Sequence, residues 1–99
     1  MRTVLIGDII AAARAIIALP APEQPGFMET ILDQAHAAHS FHKRLLKPHP
    51  AWGNGSLMAR ANKELQIAEP FASDAAYLLA LHTVIGALIA RRMRIAGQS

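Results

Sequence analysis

The chain has 99 residues, 53% of them hydrophobic and 17% charged, enough for one domain with one core and too apolar for a disordered chain. No cysteine is present, which excludes disulfides, zinc ribbons, iron–sulfur sites and thiol chemistry. The net charge of +3 divides almost evenly about Pro50, so there is no basic arm, and the one dense cationic group is Arg91, Arg92 and Arg94.

A first helix is predicted over Thr3 to Leu19, with Leu5 or Ile6, Ile9, Ala13, Ile16 and Ile17 inward and Asp8, Ala11 and Arg14 outward. Its apolar start imitates a secretory leader, but Asp8 and Arg14 interrupt it, which indicates a retained helix and a cytoplasmic protein. Pro20-Ala21-Pro22 ends it. A second helix runs from Phe27 to about Lys47, with Met28, Ile31, Leu32, Ala35, Ala38, Phe41, Leu45 and Leu46 on its apolar stripe. Lys43, Arg44 and Lys47 suit its negative C-terminal end.

The loop Pro50-Ala51-Trp52-Gly53-Asn54-Gly55-Ser56 combines positive-φ residues with Ser56 as N-cap of a short helix to about Gln66, and Trp52 is expected to pin it to the core. After Glu69-Pro70, Ser73-Asp74 caps a final helix from Ala75 to about Ile95. Residues 75–90 are uncharged, yet they fall short of the roughly 20 apolar residues of a bilayer crossing, so no membrane is expected. No strand alternation and no internal repeat is present. The expected fold is therefore all-α: a single helical domain over residues 1–99, a small bundle of three longer helices plus one short helix. Apolarity all round the final helix makes it either the central helix or half of a homodimer contact.

Chemistry-bearing patterns are sparse. His36, His39 and His42 resemble a metal cluster, but on one helix His36 and His42 diverge by about 120°, and no His-Glu-x-x-His pairing occurs. Solvated histidines are the simpler reading, and neither a metal nor any other cofactor is assigned. Gly53 to Ser56 could offer amides to a phosphate, but it lacks the Gly-Lys-Ser/Thr ending, leaving ordinary turn and cap chemistry. Ser40, Ser56 and Ser73 lack a nucleophile elbow, and His82 is expected as a core histidine. No catalytic residue is assigned, and the chain is not expected to be an enzyme. Met28, Met58 and Met93 fall at helix positions where gap filling explains them, although Met-rich faces can also bind varied partners.

The opening Met1-Arg2-Thr3-Val4-Leu5-Ile6-Gly7-Asp8-Ile9-Ile10-Ala11-Ala12-Ala13-Arg14 and the segment His49-Pro50-Ala51-Trp52-Gly53-Asn54-Gly55-Ser56-Leu57-Met58-Ala59 resemble short uncharacterised proteins of Rhodobacter-type alphaproteobacteria. That resemblance implies a bacterial cytoplasmic protein and carries no activity.

The expected function is a small non-enzymatic interaction or regulatory module. It binds another protein, or a second copy, by burying Leu78, Leu81, Ile85, Leu88 or Ile89, with Trp52 and its loop as a further contact. Arg91, Arg92 and Arg94 set the orientation. The same apolar residues are also candidates for the core. Two alternatives stand beside this reading. One is a nucleic-acid-associated regulator using Arg91, Arg92 and Arg94, with Arg60, Asn62 and Lys63 of the short helix as base readers. The other is metal binding at His36, His39 and His42.

Overall fold

The computed structural model describes residues 1–64 and 68–97. Among the described residues the protein is an all-α fold of four helices: α1 (Ile6–Ile16), α2 (Gln24–Leu45), α3 (Leu57–Ala61) and α4 (Ala75–Gly97), with a 3-10 turn at Ala21–Glu23 before α2. Helix α1 is the centre of the packing. It lies against α4 on one side and α3 on another, while α2 closes the bundle against α3 and α4. Four alanines of α1, Ala11, Ala12, Ala13 and Ala15, are buried, and their small side chains let neighbouring helices approach from several directions. The larger core side chains are Ile16, Met28, Ile31, Leu32, Leu57 and Val84.

The inward face of α1 differs from the expected one. Asp8 and Ala11 are buried, whereas Ile6 is exposed. The reason is a second helix start. The backbone amide of Leu5 donates to Asp8 Oδ2 at 2.7 Å, and that of Met58 donates to Asp8 Oδ1 at 2.9 Å. One carboxylate thus satisfies otherwise unpaired amides at the beginnings of both α1 and α3, which offsets its own burial.

The helix limits also shift. Helix α1 starts at Ile6 and stops at Ile16, inside the predicted Thr3 to Leu19. Helix α2 begins at Gln24, ahead of Phe27, with Pro25 in the first turn, where no amide donor is required. It ends at Leu45 because Leu46 turns left-handed, at φ 58°. Helix α3 ends at Ala61, short of the predicted limit at Gln66, which lies outside the described residues. Helix α4 carries on two residues past Ile95.

Between α2 and α3, His49 and Gly53 exchange backbone hydrogen bonds of 2.7 and 3.0 Å, and Ser56 caps α3 by accepting from the Ala59 amide at 3.0 Å. Gly55, at φ 101°, is pressed onto α2: a Cβ there would stand 2.6 Å from the His39 Cα. Only glycine fits that position, because both the backbone angle and the space forbid a side chain.

Candidate functional site: the outer face of α4

The 23 residues of α4 span about 34 Å at 1.5 Å per residue. Its inward stripe is Tyr77, Ala80 and Val84, with Leu81, Ala87 and Leu88 packed at the edge of the core. Tyr77 is fixed at both ends of its residue: its amide donates to the Asp74 carboxylate at 3.1 Å and its hydroxyl to Glu69 at 3.1 Å. Burial, with Glu69 adding to it, pushes the Tyr77 hydroxyl pKa up.

The opposite stripe is just as apolar and faces outward. Leu79 is 65% exposed, Met93 70%, Ile89 58%, Leu78 49% and Ile85 42%. His82, Gly86 and Ala90 lie among them, also exposed. A Cβ on Gly86 would meet nothing within 4 Å. Helix α4 is long and apolar enough to cross a membrane by length and composition alone, yet only 17% of its most apolar stretch is buried. A core helix of the same composition would be mostly covered.

The expected contact residues are therefore divided. Leu78, Ile85 and Ile89 stand outward, whereas Leu81 and Leu88 pack against the core. Leu79 and Met93, absent from the expected set, are the most exposed apolar side chains of the stripe. A helix that is apolar all round carries no periodic signal for which face is inside, so only the positions of α1 and α2 decide it. His82 corrects its expected core placement: its Leu81 and Val84 neighbours turn inward, and its own position on the wheel falls outside.

The arginines at the end of α4 also separate. Arg91 donates to Asp33 at 2.8 Å and Arg94 to Glu29 at 3.1 Å, both carboxylates lying on α2. Arg92 is exposed and has no ion pair among the described residues. All three line an open cleft of about 980 Å³ with Arg2, His36 and the Met1 to Val4 segment. The Met1 amino group lies 2.8 Å from His36 Nδ1. That positive neighbour, followed by burial and Arg91, holds the His36 pKa below its usual value. Burial and the nearby Arg91 and Lys43 likewise lower the pKa of the amino group.

The histidines of α2 serve different surroundings. His36 faces the cleft, and His39 packs beneath Gly55. Among the described residues, no three His, Cys, Asp or Glu side chains converge as a metal site. His49 accepts the amides of Ala51 and Trp52 on Nδ1 at 3.0 and 3.1 Å. Trp52 does not reach the core as expected. Its ring stacks on His49, centroids 4.5 Å apart, and His49 meets Phe41 edge-on at 4.9 Å, so the loop is pinned to the far end of α2. Arg60, expected as a base reader, is buried instead, donating to Gln34 at 2.6 Å and Glu64 at 3.1 Å.

A family model described as a domain of unknown function, DUF7742, matches residues 2–88. No curated protein matches the chain, and no solved structure does.

Proposed function

Because the chain belongs to the DUF7742 family, whose description assigns no activity, we propose from its physical chemistry that it is a small non-enzymatic interaction module of the bacterial cytoplasm. It docks another protein on the outer face of α4. The observation that carries this reading is the outward placement of Leu78, Leu79, Ile85, Ile89 and Met93 on one stripe. Fully burying an aliphatic side chain contributes about 1.5–3 kcal/mol, and these five are already about half covered, so together they offer on the order of 5 kcal/mol. Association costs on the order of 4–15 kcal/mol. The balance describes a reversible contact that needs its polar rim, and Arg92 and the Asp74 end of the helix are that rim.

The test is site-specific photo-cross-linking in cells, with a photoreactive amino acid at Leu79, Ile89 or Met93 and, as control, at the exposed Ala37 of α2. Protein adducts from the α4 positions alone are the expected result. Equal labelling from Ala37, or no protein adduct from the α4 positions, overturns the reading, and co-sedimentation on phosphatidylglycerol vesicles would then assign the face to lipid.

Nucleic-acid association is the second reading, and the cleft is what favours it, since Arg2 joins Arg91, Arg92 and Arg94 around one opening. Two of those guanidiniums are already engaged by Asp33 and Glu29, which lowers what they can give to phosphates. Binding to a mixed-sequence duplex should weaken steeply with salt and fall when Arg91, Arg92 and Arg94 are changed together to Gln. Salt-independent binding, or affinity unchanged in that triple variant, removes it.

A further inference from the structure

The occupant of the α4 face can be named more narrowly, and the inference rests on the docking reading above. We propose that the face pairs with the same face of a second copy of this chain, the two α4 helices running antiparallel across a two-fold axis at Gly86.

Exposed area favours a second copy. The chain exposes 6113 Å², whereas a compact monomer of its 10.7 kDa mass is expected to expose about 5,500 Å². The excess, on the order of 600 Å², approaches the roughly 800 Å² that each partner buries in a standard interface.

The symmetry of the helix points the same way. Gly86 stands at the midpoint of Ala75–Gly97, and Leu79 and Met93 lie seven residues to either side, within about 20° of it around the helix. An antiparallel crossing at Gly86 therefore sets Leu79 of one copy level with Met93 of the other, and Ile89 level with Thr83. Self-complementarity of this kind is what a two-fold contact requires. His82 comes level with Ala90, whose small side chain leaves room for the ring. The Thr83 hydroxyl is already donated to the Leu79 carbonyl at 3.0 Å, so covering it strands no donor.

Gly86 itself suits a close neighbour. A glycine in a helix interior is less favourable than alanine by roughly 1 kcal/mol, and nothing inside this fold occupies the space that a side chain would fill. Close approach of a second backbone is the packing reason that the monomer does not supply. Charge then selects the direction. Antiparallel pairing brings Arg92 toward the Asp74 end of the partner helix and opposes the two helix dipoles, whereas parallel pairing would stack the two arginine clusters.

The absence of native cysteine makes the geometry directly measurable. Leu79→Cys and Met93→Cys proteins are prepared separately, then treated with a short thiol-specific cross-linker alone and mixed. The mixture should cross-link several-fold more than either protein alone. Sedimentation equilibrium of the unmodified chain should show a mass that rises with concentration toward twice 10.7 kDa. Ile89→Glu, a change at an exposed position, should stay at the single-chain mass with an unchanged helical circular dichroism spectrum.

A constant single-chain mass overturns the proposal, as does self-cross-linking of Leu79→Cys without a mixed product, or a dimer that Ile89→Glu leaves intact. Photo-cross-linking separates this failure from that of the docking reading. An adduct at Ile89 with a protein of another mass overturns self-pairing alone, while the absence of any protein adduct overturns both.

Discussion

Gly55 and Gly86 have opposite surroundings, one buried against a neighbouring helix and one open to solvent. At Gly55 a methyl group would strike the backbone of α2 at 2.6 Å; at Gly86 it would meet nothing within 4 Å. The loop between α2 and α3 is thus closed by the molecule's own contacts, and each unusual residue in it has an internal partner. The outer face of α4 has the same kind of sequence oddity with no internal partner. An unusual residue points outward to function only where its own fold leaves it without a partner.

The largest expected effect lies on the closed side. Gly55→Ala forces a side chain into a left-handed backbone and against the His39 Cα, and strain of the first kind alone is worth about 1–3 kcal/mol. With the displacement of α2 added, a total loss of about 3 kcal/mol or more lowers Tm by at least ~12 °C in a domain of this size. Thermal denaturation followed by circular dichroism measures it. A Tm within a few degrees of the parent would mean that the loop is free to move away from α2, and the contrast with Gly86 would collapse.

Asp8→Ala comes next. It removes the acceptor for the Leu5 and Met58 amides at once, and losing a helix cap costs about 0.5–2 kcal/mol. With two helix starts affected, a loss of about 2–3 kcal/mol in urea denaturation is expected, while Asp8→Asn, which keeps one acceptor oxygen, should recover about half. If alanine and asparagine are equivalent, the carboxylate does not tie α1 to α3 as described.

On the open side the sign reverses. Gly86→Ala should stabilise the dilute, single-chain protein by about 0.5–1 kcal/mol, because helix propensity improves and no neighbour objects. Read at the lowest workable concentration, a decrease in Tm would show that the space at Gly86 is already filled within one chain. The comparison with Gly55 is sharpest here, since the same chemical change is expected to move stability in opposite directions.

The sequence made the helices legible because turn residues and prolines mark their ends: Pro20 to Pro22, Pro48 to Pro50 and Ser73-Asp74 all fall between observed helices. The inward stripe of α2 was equally plain, as Met28, Ile31, Leu32, Ala35 and Ala38 follow one periodic line into the core. What was hidden depends on contacts distant in sequence. Asp8 reads as a surface residue until Met58, fifty positions later, brings its amide to it. Likewise, the division of α4 into a covered and an open face is set by α1 and α2, and a helix apolar on every side cannot declare it. Arg60 looks like an available cation until Gln34 of α2 is found beside it.

The smallest effect is one of pH, and it shows whether the closed side loosens ahead of the open one. His39 is held below its ordinary pKa of 6.5, first by burial and then by the amino terminus and Lys43, and His36 is held below the same value, first by the amino terminus and then by burial and Arg91. In the folded chain both rings therefore resist protonation more than they do in the unfolded chain. As pH falls below about 6.5, the unfolded state takes up protons that the folded state refuses, so stability is lost on acidification and kept above that value. Because His39 lies under Gly55, amide exchange around residues 53–56 should speed up with falling pH after correction for intrinsic exchange, while the middle of α4 changes less. His39→Gln should flatten that response in the loop, and a loop whose corrected exchange ignores pH from 7 down to 5 would remove His39 as its cause.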